Sequence, residues 1–289
     1  MSIFTIGGSG LVGSRIVELL DSKHTFDDLS LSKGVDITNP SSLDIIKNDT
    51  EHDVVLLLAA KADVDGCEAD KPMGEEGAAF KINVTGVQNV VNACKQTNKK
   101  ILYISTDFVF DGTKEPPYEY TEDDIPNPGN WYATTKYKGE EVVKNSDIPF
   151  LIVRIAYPYR KEFPLKKDFV RAIASRLENN QPVAAVTDHI MTPTLIDDVA
   201  FAVDVLLENN EKGIYHVVGS ESLSPYDAAM TIADIFGFDK SLISKTTRAE
   251  YFKGKAQRPF NLSLNNARIK QLGVTMHGFA EGLQKIVNV

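Results

Sequence analysis

Tyr132 and Lys136 stand four residues apart in "NPGNWYATTKYKGEE" (127–141). Four residues is about one helical turn, so on a helix the two side chains share a face. The pairing has a chemical use. A carbonyl reduced by hydride needs a proton for the developing alkoxide, and a free tyrosine, with pKa about 10, gives one up reluctantly. A lysine cation beside it, joined by oxidised nicotinamide, is expected to lower that pKa. Spacing alone proves little, because Tyr157/Lys161 and Tyr251/Lys255 repeat it. Pro158 spoils a helix for the second pair, and Gly254 weakens one for the third. The third part of such a site is a hydroxyl that orients the carbonyl. "YISTDFVFDG" (103–112) supplies Ser105 and Thr106 at the end of a predicted strand, where open α/β sheets place their ligands.

A second candidate lies in "IFTIGGSGLVGS" (3–14), where Gly7, Gly10 and Gly13 form G-x-x-G-x-x-G around Gly8. A phosphate-binding P-loop would need Lys after its last glycine, but Ser14 stands there. A nucleophile elbow around Ser9 would need glycine at Leu11. Gly8, Gly10 and Gly13 also satisfy G-x-G-x-x-G, so the glycines do not choose a subtype. A strand before the turn and a helix from about Leu11 make it a dinucleotide site, with bare backbone and the helix N-terminus meeting a pyrophosphate. The end of the second strand bears on the cofactor. If that strand stops at Asp27 or Asp28, a carboxylate can hold the ribose hydroxyls of NAD(H). If it runs through "LSLS" (29–32), Ser32 and Lys33 can take a 2′-phosphate. The reading adopted is NADP(H), with NAD(H) as the alternative.

These residues need a scaffold. Apolar runs at 2–6, 53–60, 100–106 and 149–156 read as strands buried on both faces of a parallel sheet. Helical patterns at about 11–21, 41–48, 76–97 and 131–145 alternate with them. The fold class is therefore α/β, a Rossmann-type doubly wound parallel sheet with a smaller C-terminal α/β lobe. Residues 1–156 form the expected dinucleotide-binding domain and 157–289 mainly the substrate lobe, with 213–219 able to return to the main sheet. In the lobe a helix is expected at about 169–179, another capped by Thr194 and running to about 208, and a third started by Ser224 and Pro225.

With 289 residues and a net charge of −9, the chain has no basic footprint for nucleic acid. No apolar stretch is long enough for a membrane span, and a cytoplasmic location is expected. Cys67 and Cys94 lie in no metal or redox spacing and read as buried free thiols. The five histidines share no ligand spacing, so no metal is expected. His189 is a lesser candidate for the substrate side, Asp123 and Asp124 for a solvated loop, and Trp131 for a packing anchor.

Through most of its length the chain resembles the extended short-chain dehydrogenase/reductase family, and within it the dTDP-4-dehydrorhamnose reductase branch. The similar segments include "GGSGLVGS", "VDITNP" (35–40), "AAKADVDGCE" (59–68), "KINVTG" (81–86), "STDFVFDG", "YATTKYKGE", "VRIAYPY" (153–159), "TPTLIDDVA" (192–200) and "RPFNLSL" (258–264). The resemblance implies reduction of a 4-keto-6-deoxy sugar nucleotide, with Tyr132 as proton donor, Lys136 as its activator and ribose ligand, and Thr106 as carbonyl partner. It implies that Gly7, Ser9, Gly10, Leu11, Val12, Asp36, Ile37, Ala59, Ala60 and Lys61 line the cofactor. Thr106, Asp107 and Tyr157 would face the sugar, and the chain could pair as a homodimer; Arg160, a long cation able to grip a diphosphate, is a further candidate for the substrate site. Phe108 stands where the family usually has tyrosine, Tyr157 replaces tryptophan, Arg160 replaces glycine, and Ala133 stands where glycine is commoner. Two other readings share the fold. A sugar-nucleotide epimerase or dehydratase is one, although the dehydratases carry an Asp-Glu pair where Asp107 and Phe108 stand. A non-catalytic dinucleotide-binding subunit, like the β subunit of methionine adenosyltransferase, is the other.

Overall fold

The computed structural model describes residues 1–287. Ten strands lie among the described residues: β1 (Ser2–Ile6), β2 (Thr25–Asp28), β3 (Val54–Leu57), β4 (Lys100–Thr106), β5 (Phe150–Ile155), β6 (Pro158–Tyr159), β7 (Val183–Val186), β8 (Thr194–Leu195), β9 (Gly213–His216) and β10 (Ile243–Thr246). Six form one sheet in the order β2-β1-β3-β4-β5-β9, with every pair parallel. The strand from the second half thus closes the edge of the first half's sheet. β7 with β10 and β6 with β8 form two small parallel pairs in the lobe.

The unbroken apolar strands follow from burial of both faces. Ile3, Leu56, Leu102 and Val153 turn to one side, against helices Gly13–Leu20 and Ile196–Glu208. Phe4, Val55, Leu57, Ile101 and Ile152 turn to the other, against helix Val87–Thr97. Side chains alternate along a strand, so two cores need hydrophobes at every position. The lobe has its own core around Tyr159, Val170, Met191, Leu223, Ile232 and Phe279.

Of the three helices expected in the lobe, Phe169–Glu178 and Pro225–Phe236 pack in its core, whereas Ile196–Glu208 packs on the main sheet, because its apolar face completes the core against β1, β4 and β5. Ser224 caps helix Pro225–Phe236, accepting from the Asp227 amide at 3.1 Å. Thr194 does not cap helix Ile196–Glu208. It lies in β8, its hydroxyl donates to the Thr192 carbonyl at 3.2 Å, and Leu195 holds the cap position without a side-chain bond. The second strand stops at Asp28, because the Asp28 carboxylate accepts the Ser30 amide at 3.0 Å and turns the chain. Leu31–Lys33 is then a short 3₁₀ turn, with Ser32 and Lys33 exposed. Of the two strand ends left open by the sequence, the one at Asp28 forms and the extension through "LSLS" does not. Cys67 and Cys94 are both buried and free. Asp123 does more than face solvent, since it accepts Arg268 at 2.9 Å.

Candidate active site

The strand order reverses between β1 and β3, and the turns after these two strands meet. Gly7 has φ +91°, and a Cβ there would lie 2.8 Å from the Ala59 amide nitrogen. A Cβ at Gly13 would lie 2.6 Å from the Gly7 carbonyl oxygen and 2.9 Å from Gly8 Cα. Gly7 is thus required by conformation and Gly13 by close packing of helix on strand. Gly10 differs, since a Cβ would meet only the Gly7 oxygen, at 3.2 Å. The amides of Leu11 and Val12 have no acceptor among the described residues. Bare backbone, free amides and a helix start lie together at the sheet's switch point, as a pyrophosphate requires. Ser9 lies exposed in the same turn.

Around this turn stand the other residues implied for the cofactor. Asp36 closes a turn on Thr38, accepting its amide at 2.9 Å and its hydroxyl at 2.8 Å. Ile37 packs against Gly86, where a Cβ would lie 2.7 Å from the isoleucine. Ala59 and Ala60 continue from β3, and the Lys61 amide donates to Asn83 Oδ1 at 2.9 Å. Asp28 also lies here, its carboxylate 3.3 Å from the position of a Cβ on Gly8.

Tyr132 and Lys136 lie on helix Trp131–Lys144, both at least nine-tenths buried. Asn130 starts that helix. Its side chain accepts the Ala133 amide at 2.9 Å and donates to the Gln257 carbonyl at 3.0 Å. Glu140, on the same helix, is clasped by Arg154 of β5 at 2.9 and 2.7 Å, with both side chains almost wholly buried. A two-pronged contact of this kind fixes the helix's rotation against the sheet. The Lys136 ammonium donates to the Ile104 carbonyl at 2.8 Å and lies 4.0 Å from the centre of the Tyr103 ring. Phe108 meets the Tyr132 ring edge-on, with centroids 5.9 Å apart.

Burial pushes the Tyr132 hydroxyl above its ordinary range, and a hydrogen bond with the Thr106 side chain opposes the shift. Burial also brings Lys136 down to about 7, while Glu140 pulls it upward. Burial is the largest influence on Tyr132, and Lys136 is not among the groups that bear on it. The hydroxyl is thus protonated at neutral pH, the state from which it can donate to a developing alkoxide.

Asp107 lies directly after β4, and Thr106 donates to its Oδ1 at 2.9 Å. Tyr157 follows β5 with φ 41°, a left-handed backbone unusual for a bulky residue. Its hydroxyl lies 2.8 Å from His189 Nε2, and His189 Nδ1 lies 2.8 Å from the Pro259 carbonyl. A carbonyl only accepts, so Nδ1 carries the proton and Tyr157 donates to Nε2. Burial pushes His189 down to about 4, which keeps it neutral.

Arg160 is not beside these groups. Its guanidinium donates to Ser14 at 3.0 Å and Glu18 at 2.9 Å, tying the loop after β6 to helix Gly13–Leu20. The charged helix face next to the glycine turn captures it. The other two Y-x-x-x-K pairs also separate by structure. Tyr157 is in no helix, and Tyr251 is half exposed at the end of the short helix Arg248–Tyr251.

The RmlD substrate binding domain family model matches residues 1–289. The chain belongs to this family. The dTDP-4-dehydrorhamnose reductase of Aggregatibacter actinomycetemcomitans is 30% identical over 97% of this chain and 96% of that one. Methionine adenosyltransferase 2 subunit beta of Bos taurus is 32% identical over 68% of this chain and 59% of its own. The solved dTDP-4-dehydrorhamnose reductase of Bacillus anthracis str. Ames, in complex with NADP, superposes with a TM-score of 0.89 at 26% identity, covering 99% of this chain and 98% of that one.

One buried residue that spacing and periodicity did not single out ties two parts of the site together. Asn83 is fully buried, and its Nδ2 donates to the Lys61 carbonyl and the Thr135 hydroxyl, each at 3.0 Å. It therefore joins the cofactor-side loop to the Tyr132 helix. A π-helical turn, Lys81–Gly86, carries it, a distortion frequent at functional sites. Trp131 stacks on Phe80, and its backbone amide donates to Glu68 at 2.7 Å.

Proposed function

We propose that this chain is a nicotinamide-dependent reductase of a 4-keto-6-deoxy sugar nucleotide, of the dTDP-4-dehydrorhamnose reductase type. One observation carries the reading. Tyr132 and Lys136 share a buried helix face beside Thr106 and Asp107 at the end of β4, at the same C-terminal edge of the parallel sheet as the glycine turn after β1. In the proposed roles, the turn Gly7–Val12 holds the pyrophosphate, Ala59, Ala60 and Lys61 the adjoining wall, and Asp36 with Ile37 the adenine end. A bound reduced nicotinamide supplies the hydride. Tyr132 gives its hydroxyl proton to the carbonyl oxygen as the alcohol forms. Lys136 stabilises the tyrosinate left behind, and Thr106 and Asp107 hold the sugar. Tyr157, locked onto His189, forms the lobe-side wall. The reductase names among the relatives favour this reading over the dehydratase or epimerase, and Phe108 in place of the second acid does so independently.

Asp28 favours NADH over NADPH, against the preference suggested by "LSLS". A carboxylate at the end of β2 accepts ribose hydroxyls and repels a 2′-phosphate. The test is to mix the purified chain with NADH or NADPH and a panel of 4-keto-6-deoxy sugar nucleotides, following nicotinamide absorbance. Consumption that needs both partners supports the proposal. Dinucleotide binding without turnover on any of them would return the chain to the binding-subunit reading.

A further inference from the structure

Lys136 is buried without an ion-pair partner among the described residues. Its hydrogen bond goes to a neutral acceptor, the Ile104 carbonyl at 2.8 Å. The ionisable groups around it are Glu140 and Tyr132, both on its own helix, and Tyr103 of β4. Glu140 is spent on Arg154 of β5, at 2.7 Å. Taking an ammonium out of water with one neutral acceptor is costly, and burial accordingly lowers Lys136 while Glu140 opposes the fall. What lies against the charge instead of a counter-ion is the Tyr103 ring, its centre 4.0 Å from the ammonium nitrogen. A π face attracts a cation electrostatically, most strongly where water is excluded.

The packing of Tyr103 shows which part of that side chain matters. Tyr103 is almost wholly buried, and its hydroxyl has no hydrogen-bond partner among the described residues. Gly139, three residues beyond Lys136 on the helix, leaves the room that the phenol fills. A Cβ there would lie 2.5 Å from the Tyr103 hydroxyl oxygen and 2.6 Å from the Asn83 carbonyl oxygen. Burial, with Glu140 and Tyr132 adding to it, pushes the hydroxyl well above its ordinary range, so the ring stays a neutral phenol. Tyr103 thus offers Lys136 a π face, and its hydroxyl is a passenger.

We propose that Tyr103 is a positioning residue, whose ring face and the neighbouring Ile104 carbonyl seat the Lys136 ammonium and keep it charged on the helix face it shares with Tyr132. This rests on the reductase reading above, in which a charged Lys136 stabilises the tyrosinate. An ammonium has three donors. The carbonyl takes one and the ring lies against the charge, which fixes a long, flexible side chain without using up its hydrogen-bonding capacity.

The π face can be weakened at nearly constant shape. Tyr103→Phe keeps it, and phenylalanines with one, two or three ring fluorines at position 103 withdraw its electron density step by step. Carbon-13 NMR of lysine-labelled protein, with no cofactor added, reads the Lys136 titration, its resonance being the one that Lys136→Met removes. In Tyr103→Phe the midpoint should stay within about 0.3 pH units of the parent. With three fluorines it should fall by about one pH unit, a roughly tenfold loss of charged over neutral lysine, on the scale of a desolvated cation–π contact. The ring attracts only the ammonium, so a weaker face lets the proton go at lower pH. In steady-state kinetics, kcat/KM should fall as pH rises through the Lys136 midpoint. That limb should move down with the fluorines by the same amount, and Tyr103→Phe should hold it in place, whereas a merely space-filling ring would move neither. A midpoint that stays put along the fluorine series would overturn the proposal, and so would an activity limb that stays put while the midpoint moves. Should the parent reduce no sugar nucleotide, the reductase reading fails, and the cofactor-free titration alone decides whether the ring holds the lysine.

Discussion

Replacing Gly10 with valine separates the cofactor site from the fold. A Cβ at Gly10 meets one atom, the Gly7 carbonyl oxygen at 3.2 Å, and Gly10 is not in the left-handed region. Its other side is open. The chain should therefore fold, with a stability loss of about 1 kcal/mol, at the low end of overpacking costs. The added methyls would occupy the space in front of the Leu11 and Val12 amides, where the pyrophosphate is proposed to lie. Losing one or two charge-assisted hydrogen bonds, at about 1.5–3 kcal/mol each, raises Kd for the dinucleotide by roughly 10- to 10⁴-fold. Gly13→Val is the control, because its Cβ would fall 2.6 and 2.9 Å from backbone atoms of Gly7 and Gly8. That variant should lose about 1–3 kcal/mol of stability, and binding with it. Titration calorimetry with NADH and NADPH reads the affinity, and urea unfolding reads the stability. Unchanged dinucleotide affinity in Gly10→Val would refute the pyrophosphate assignment. A Gly13→Val chain as stable as the parent would refute the packing argument.

Tyr132→Phe should lower kcat about 10²–10⁴-fold with little change in KM, and Tyr157→Phe should cost much less; equal losses in steady-state kinetics would remove Tyr132 from its role. Asp28→Ser should raise the kcat/KM ratio of NADPH to NADH at least about tenfold by removing a like charge from the 2′-phosphate, and an unmoved ratio would count against Asp28. Arg160→Gly should lower Tm by freeing the loop from helix Gly13–Leu20, while sugar-nucleotide affinity by calorimetry stays within about twofold. Lys136 is brought down to about 7 by burial, so between pH 7 and its unfolded value the unfolded chain binds the extra proton, and stability rises with pH there. Lys136→Met should flatten that rise in urea unfolding, and an equally steep rise in the variant would assign it elsewhere.

What could be read from the sequence was what local spacing controls. Tyr132 and Lys136 are one turn apart, and the Asn130 cap and the absence of proline make that turn helical. Strands buried on two faces announce themselves by unbroken hydrophobicity, and Ser224 with Pro225 marks a helix start. Contacts across the fold left no such trace. Arg160 reaches a helix 142 residues away in sequence, and His189 meets Tyr157 from 32 away. Nothing in "TDHIMTPT" tells which tyrosine the histidine will face. Asp28 ends β2 through a carboxylate–amide turn that the alternating "LSLS" concealed. Asn83 matters through a π-helical turn, which has no periodicity of its own.

The clasp between Glu140 and Arg154 also bears on descent. Loss of one partner strands the other charge in the interior, at about 3–5 kcal/mol, whereas replacing both by well-packed apolar residues can be neutral or better. That single loss is a sizeable share of a domain's usual stability of about 5–15 kcal/mol. The two positions are therefore expected to be inherited as one character. On this energetic ground a lineage is expected to keep both charges or to shed both. Glu140 lies on the helix of Tyr132 and Lys136, so the same coupling binds the history of the proposed proton donor to a strand residue in the sheet's interior.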